Sequence, residues 1–183
     1  MELKGSKTEQ NLKTAFSGES EARNKYTYFA SKAKKDGYPV IASVFEETAA
    51  NEKEHAELWF KKLGGINDTM ANLIAAAAGE KYEWSDMYAE FSRVAKEEGF
   101  NDLAVQFAHI GSIEREHEAR YLRLADELKS GKLFHRDEPV AWICTNCGKH
   151  VISKDAPDLC PACQHPQGYF TVDTTVDGQK LAK

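Results

Sequence analysis

At 183 residues, 29% of them charged and with a net charge of −5, the chain can bury one good core and carry a small appendage. Its acidic balance speaks against nucleic acid or an anionic membrane surface as a partner. The longest apolar run, residues 73–78, is far too short to span a bilayer, and Met1-Glu2-Leu3-Lys4-Gly5-Ser6 has no hydrophobic segment of a secretory signal. These features lead us to expect a soluble cytoplasmic protein with no membrane association.

Ser6-Lys7-Thr8-Glu9 fits a capping box and opens a first helix. Its inward stripe is Leu12, Phe16, Glu19, Ala22, Tyr26, Phe29 and Ala33, and Asp36-Gly37-Tyr38-Pro39 ends it. A second helix places Ile41, Phe45, Thr48, Glu52, His55 and Trp59 inward and stops at Gly64-Gly65. Asn67 or Asp68 is positioned to cap a third, with the stripe Leu73, Ala76, Glu80, Glu83, Met87, Phe91 and Val94, which Gly99 ends. Asn101 or Asp102 is positioned to cap the fourth, closed by Gly131; its stripe is Leu103, Phe107, Ile110, Glu114, His117, Tyr121, Leu124 and Leu128. Four long helices with short turns predict an antiparallel bundle.

The two halves repeat. A shift of 61 superposes Thr8 on Thr69, Leu12 on Leu73, Gly18 on Gly79 and Glu19 on Glu80. A shift of 62 superposes Phe45 on Phe107, Glu52 on Glu114 and His55 on His117. Duplication of a helix pair is the simplest account. One mismatch stands out: at the 61-residue shift Ala22 corresponds to Glu83, so the third helix offers two acids on one face.

Beyond Gly131 the pattern changes. Residues 132–140, with Pro139, read as a linker and residues 142–170 as knuckles and turns; the weakly alternating polar tail 171–183 has the makings of either an added strand or disorder, and we expect it loosely ordered. We therefore divide the chain into a bundle over 1–135 and a small domain over 136–183. All four cysteines fall between Cys144 and Cys163, with none in the first 143 residues, which favours one metal site over a disulfide framework.

Two metal constellations emerge. An acid and a histidine in a core stripe, as in Glu114-Arg115-Glu116-His117, are costly unless compensated, and a bound metal compensates them. One Glu from each of two helices (Glu19, Glu80) and a Glu-x-x-His from each of the others (Glu52 with His55, Glu114 with His117) form the donor set of ferritin-like di-metal carboxylate bundles. Bridging carboxylates neutralise two neighbouring cations, and oxygen with imidazole suits iron or manganese. The second constellation is Cys144-x-x-Cys147 and Cys160-x-x-Cys163, two knuckles twelve residues apart that make a closed four-thiolate site for zinc or iron.

A bundle of this kind followed by such knuckles resembles the rubrerythrin family over about residues 2–170. The motifs that carry the resemblance are Phe16-Ser17-Gly18-Glu19-Ser20-Glu21-Ala22-Arg23-Asn24, Asn51-Glu52-Lys53-Glu54-His55-Ala56, Gly79-Glu80-Lys81-Tyr82-Glu83 and Leu159-Cys160-Pro161-Ala162-Cys163. It implies a mainly α fold, with a ferritin-like four-helix bundle and a C-terminal rubredoxin-like domain. It also implies a non-haem di-iron centre and one rubredoxin-type iron on Cys144, Cys147, Cys160 and Cys163. The implied activity is hydrogen peroxide reduction in oxidative-stress protection, with electrons from NADH through a separate reductase or rubredoxin donor. The chain's lack of a Gly-x-Gly-x-x-Gly fingerprint fits that division of labour.

Carried over by motif, Glu52 and Glu114 bridge the irons, Glu19 is terminal on one, and Glu80 with His117 on the other. Glu83 and His55 alternate on the first iron as its oxidation state changes, and Tyr26 and Tyr88 hydrogen-bond the ligating carboxylates. His165 resembles the residue that couples knuckle to bundle, whereas His109, His135 and His150 match nothing.

The family's usual long crossover is missing. Residues 64–68 reach about 17 Å when extended, whereas a helix of about 25 residues is about 37 Å long. Either the helices run up-down-up-down, or the second pair completes a neighbour's bundle; we expect the latter, a domain-swapped homodimer. Two other functions compete: a ferroxidase or iron-storage protein, and a zinc-ribbon interaction module.

Overall fold

A computed structural model describes residues 2–175. The chain forms two compact units, Met1–Asp68 and Thr69–Lys183, so compactness divides it between the two helix pairs.

The first unit is a helical hairpin of α1 (Lys7–Lys35) and α2 (Pro39–Lys62). Ser6 Oγ accepts the Glu9 amide at 3.1 Å, while the Glu9 carboxylate takes the Gly5 amide at 2.6 Å. The capping box thus closes one residue further out than its usual form. Gly37, at φ +84°, turns the chain in a left-handed conformation that a side chain would resist, and Pro39 starts α2. The helices run antiparallel, with Phe16 stacked on Phe60 near one end and Tyr26 on Phe45 towards the other. Ala30, Ala33, Ala42, Ala49 and Ala56 are buried, and small side chains of this kind let helix axes approach closely.

The second unit begins with the duplicate pair: α3 (Thr69–Tyr82), a π-helical turn (Glu83–Met87), α4 (Tyr88–Glu97) and α5 (Asn101–Lys129). The aromatic triad recurs, and two of its three ring pairs keep their geometry. Phe29 meets Phe45 at 5.6 Å and 64°, and Phe91 meets Phe107 at 5.6 Å and 60°. Tyr26–Phe45 and Tyr88–Phe107 are both 6.2 Å between centroids. These pairs sit 62 apart, whereas Glu19 and Glu80 sit 61 apart. The extra residue is absorbed in the π turn, where the Tyr88 amide donates to the Glu83 carbonyl five residues back. A third helix that is α-helical throughout, the sequence expectation, is therefore corrected. So is the fourth cap: α5 starts at Asn101 behind Phe100, which makes no side-chain cap, and Asn101 and Asp102 fall inside its first turn.

The second unit ends in a three-stranded antiparallel sheet of β1 (His135–Cys144), β2 (His150–Asp155) and β3 (Phe170–Val172), in the order β2-β1-β3. Trp142 pairs with Val151 on one side and Val172 on the other, and its indole N–H donates to the Ser153 carbonyl. With Cys144, Ala156, Cys160 and Phe170 it forms the small core. Residues 135–140, read as a linker, belong to β1; Pro139 is tolerated because the register shifts between His135 and Val140, where no amide is required of it. Thr171 and Val172, read as loose tail, pair with β1; residues 176–183 lie outside the described residues.

Candidate metal centres

In the first unit Glu19 of α1 and Glu52 and His55 of α2 bring ligand atoms within 4.8 Å of one another. His55 Nδ1 lies 2.9 Å from Glu52 Oε2. The His55 hydrogen bond, and then that of Glu19, hold the Glu52 carboxyl below its ordinary range. Glu19 is pushed up, first by sharing a hydrogen bond with Glu52 and then by burial and charge repulsion. The Trp59 indole N–H, one turn past His55, is buried without a hydrogen bond among the described residues, yet still favours the ionised form of Glu19.

The second unit repeats this with Glu80 of α3 and Glu114 and His117 of α5, again within 4.8 Å. His117 Nδ1 is 2.6 Å from Glu114 Oε2 and 3.6 Å from Glu80 Oε2. Burial, followed by the Glu114 charge, pushes the Glu80 carboxyl up. Half-buried carboxylates crowded this way repel each other unless a cation neutralises them, and their oxygen–imidazole donor set suits iron.

Glu83 heads the π turn, one turn past Glu80 and outside that group of three. Its charge raises Glu80. Burial, then the charges of Glu83 and Glu114, raise the Tyr88 phenol, which keeps it a proton donor. Tyr26, its counterpart, packs between Phe29 and Phe45.

Four residues around the π turn escaped the sequence reading. The Trp84 indole N–H donates to Glu118 at 2.6 Å, the Arg115 guanidinium lies 5.7 Å from the Trp84 ring centroid, and Gly111 is buried against the turn. The signal was departure from the repeat, since Trp84, Gly111 and Glu118 stand where the first half has Arg23, Ala49 and Ala56.

The knuckles are built alike. The Gly148 amide donates to the Cys144 carbonyl and the Gln164 amide to that of Cys160; Gly148 (φ +75°) and Gln164 (φ +60°) both take the left-handed conformation that curls each turn round its sulfurs. Cys144 and Cys163 Sγ are 3.7 Å apart, Cys147 and Cys160 Sγ 3.6 Å. Tetrahedral bonds of about 2.3 Å to four sulfurs need S–S edges of about 3.75 Å, so the cluster is sized for one ion and far too open for disulfides. The His165 amide lowers the Cys163 thiol to about 6. Cys147, although the Lys149 amide favours its thiolate, is pushed up to about 12 by the Cys163 sulfur, burial and the other two sulfurs.

The remaining histidines have partners of other kinds. His135 pairs with Asp155 at 2.7 Å and His150 with Asp173 at 2.9 Å. The His165 ring meets Tyr169 edge-on at 4.6 Å, and the His109 carbonyl accepts from Ser112.

Comparison with known proteins agrees with this chemistry. Residues 10–125 match the family model "Rubrerythrin" and residues 142–171 the model "Rubrerythrin, rubredoxin-like domain". The chain is 52% identical to rubrerythrin of Porphyromonas gingivalis, covering 92% of this chain and 90% of that one. It is 48% identical to rubrerythrin of Nitratidesulfovibrio vulgaris, covering 92% and 95%. A solved structure titled "Partially Reduced State of Nigerythrin" is 35% identical, over 90% of this chain and 86% of that one, with a TM-score of 0.35. A rubrerythrin domain implies a di-iron centre, and of the two ions open to the four cysteines the rubredoxin-like match selects iron. Among the described residues no helix is long and apolar enough to cross a membrane. Both domain models match in order, and relatives about half identical run nearly its whole length: the chain belongs to the rubrerythrin family.

Proposed function

We propose that the protein is a di-iron peroxidase that reduces hydrogen peroxide to water, two electrons and two protons per peroxide, and so protects against oxidative stress. Electrons reach it from NADH through a separate reductase or rubredoxin donor and enter through the four-thiolate iron. The observation that carries this reading is the asymmetry of the two carboxylate–imidazole groups: among the described residues the second has an additional acid, Glu83, set on a π turn beside it, where the repeat places Ala22 in the first. Oxygen-activating storage chemistry has no evident need of that acid or of the knuckles.

In this reading the first group of one copy of the chain and the second group of another copy would together hold one iron pair. Glu52 and Glu114 would hold the pair from between, with Glu19 toward one position and Glu80 and His117 toward the other. When bound, the iron pair would supply the two electrons that split the O–O bond, and Cys144, Cys147, Cys160 and Cys163 would hold a one-electron iron suited to restoring them. His55 and Glu83 would offer alternative donors for the first position, the imidazole suiting its lower charge and the carboxylate its higher charge. Tyr88, kept protonated by its buried place beside Glu83 and Glu114, would orient a ligating carboxylate and has a proton to lend; Tyr26 would orient a carboxylate of the other half. His165, next to the Cys163 thiolate, is the proposed bridge from knuckle to bundle.

The functional domains are 1–135 and 136–183, supported by the gap between the two family matches. Apolar neighbours of the ligand stripes keep large exposed fractions: Phe29 48%, Ile41 51%, Phe91 44% and Leu103 47%. Burying them against another helix pair drives association, and the short 64–68 connection favours a pair from a second copy, a domain-swapped homodimer in the cytoplasm.

The test is iron-loaded full-length protein with Glu83→Ala, assayed for NADH-driven peroxide consumption and, separately, for oxygen-driven ferrous oxidation. The reading expects peroxide turnover to fall by on the order of tenfold or more, the scale of one lost charge-assisted interaction, with ferrous oxidation little changed. An equal loss in both assays would support the storage reading instead.

A further inference from the structure

We propose that Glu118 is a positioning residue: by accepting the Trp84 indole N–H it clamps the π turn to α5 and thereby sets where the Glu83 carboxylate can reach. The inference rests on the reading of Glu83 as an iron ligand.

A π turn is one residue too long for its helix and tends to relax back to α geometry unless something outside holds it. Here α5 holds it at three consecutive contacts. Gly111 admits the turn to close range: a Cβ there would stand 3.2 Å from Tyr88 Cβ and 4.0 Å from Trp84 Cα. Arg115 places its guanidinium 5.7 Å from the centroid of the Trp84 ring. Glu118 takes the indole proton at 2.6 Å in a part-buried, charge-assisted hydrogen bond between residues 34 apart in sequence. Gly111, Arg115 and Glu118 recur at helical spacing on one stripe of α5, while Glu114 and His117 occupy the stripe beside it. The same helix therefore carries both the ligands and the clamp. Trp84 directly follows Glu83, so fixing its ring fixes the backbone from which the Glu83 side chain departs.

The duplicated half supplies the control within the molecule. α1 is continuous and has Ala22 where α3 leads into Glu83; Ala49 and Ala56 stand for Gly111 and Glu118, and Arg23 for Trp84. The half that lacks the π turn lacks the clamp.

The experiment compares iron-loaded full-length wild type with Glu118→Leu, Glu118→Gln, Trp84→Phe and Glu83→Ala. It measures amide hydrogen exchange of peptides across residues 83–88 and the ferric absorption of the di-iron centre. Glu118→Leu and Trp84→Phe, each removing one partner, should speed exchange across the π turn by on the order of tenfold, with α1–α2 peptides unaffected. Glu118→Gln, which keeps an acceptor, should restore most of the protection. The same two variants should displace the ferric absorption in the direction Glu83→Ala does, while Glu83→Ala leaves exchange at 84–88 near wild type. Unchanged exchange in both Glu118→Leu and Trp84→Phe would overturn the clamp. Faster exchange with the ferric absorption unmoved in those variants and in Glu83→Ala would overturn the role of Glu83 as a ligand, leaving a clamp with nothing to position.

Discussion

Replacing Glu80 with Gln should stabilise the metal-free protein while weakening the metal-loaded one. The Glu80 and Glu114 side chains are only 20% and 15% exposed, and their ligand oxygens lie within 4.8 Å of each other. Two unit charges at that distance repel by about 1 kcal/mol in a water-like dielectric and by about 3.5 kcal/mol at an effective value of about 20. Burial, the largest cause of the raised Glu80 carboxyl, adds to the penalty on its ionised form. At a pH of about 8, well above the ordinary carboxylate range, the variant should gain about 1–3 kcal/mol. For a protein of this size that is a rise in Tm of about 2–10 °C, read by calorimetry in excess chelator. The sign with pH follows from linkage: a carboxyl raised by folding favours the native state below its unfolded pKa, and that benefit is lost as pH rises through the folded value. The gap between variant and wild type should therefore open from acid towards neutral pH. With iron bound the order should reverse, because the stabilisation by ligand binding is reduced. A metal-free variant that melts at or below wild type at pH about 8 would refute the claim that these carboxylates are held together against their own repulsion.

Other substitutions probe different parts of the structure. Gly111→Ala should destabilise the second unit by about 1–3 kcal/mol, because its Cβ presses on Tyr88 at 3.2 Å; denaturant midpoints would show it, and an unchanged midpoint would mean that the π turn yields freely. Cys160→Ser should abolish the thiolate-iron absorption and NADH-driven turnover while leaving iron in the bundle, as metal analysis would report. Asp173, held down to about 2 by the Thr175 hydroxyl and then by His150, contributes stability that is present above the unfolded carboxyl pKa of about 3.9 and lost as pH falls through about 2. Asp173→Asn should therefore lower the urea midpoint at a pH of about 6 but not at a pH of about 2. Sedimentation at micromolar concentration should find dimers, and monomers would remove the proposed swap.

Much of this was legible in residue order because the chemistry is periodic. Glu-x-x-His on two helices, an acid on each of the others and paired Cys-x-x-Cys knuckles are local spacings, and the structure groups those residues as Glu19–Glu52–His55, Glu80–Glu114–His117 and the four cysteines. The helix ends at Gly37, Gly64, Gly99 and Gly131 were equally plain, since all four adopt positive φ. The π turn was not, because one inserted residue leaves a three-and-four hydrophobic pattern nearly intact from Glu80 to Phe91. Its trace was the change of repeat shift from 61 to 62, located only when the Tyr88 and Phe91 rings proved to match Tyr26 and Phe29. The Trp84–Glu118 bond joins residues 34 apart on neighbouring helices, and no local pattern encodes such a contact. The seam of α1 on α2 was also partly hidden: Ala42, Ala49 and Ala56 pack it, while the more conspicuous stripe of Phe45, Glu52 and His55 carries the ligands.

The central proposal is that Glu19, Glu52 and His55 of one copy and Glu80, Glu114 and His117 of another hold one iron pair. Mössbauer and electron paramagnetic resonance spectra of the oxidised, iron-loaded protein test it most directly, because ferric ions held at bridging distance couple their spins and isolated ones do not. The account predicts a spin-coupled, resonance-silent ferric pair together with one high-spin ferric signal from the four-thiolate site. Uncoupled high-spin ferric signals from the bundle would contradict it.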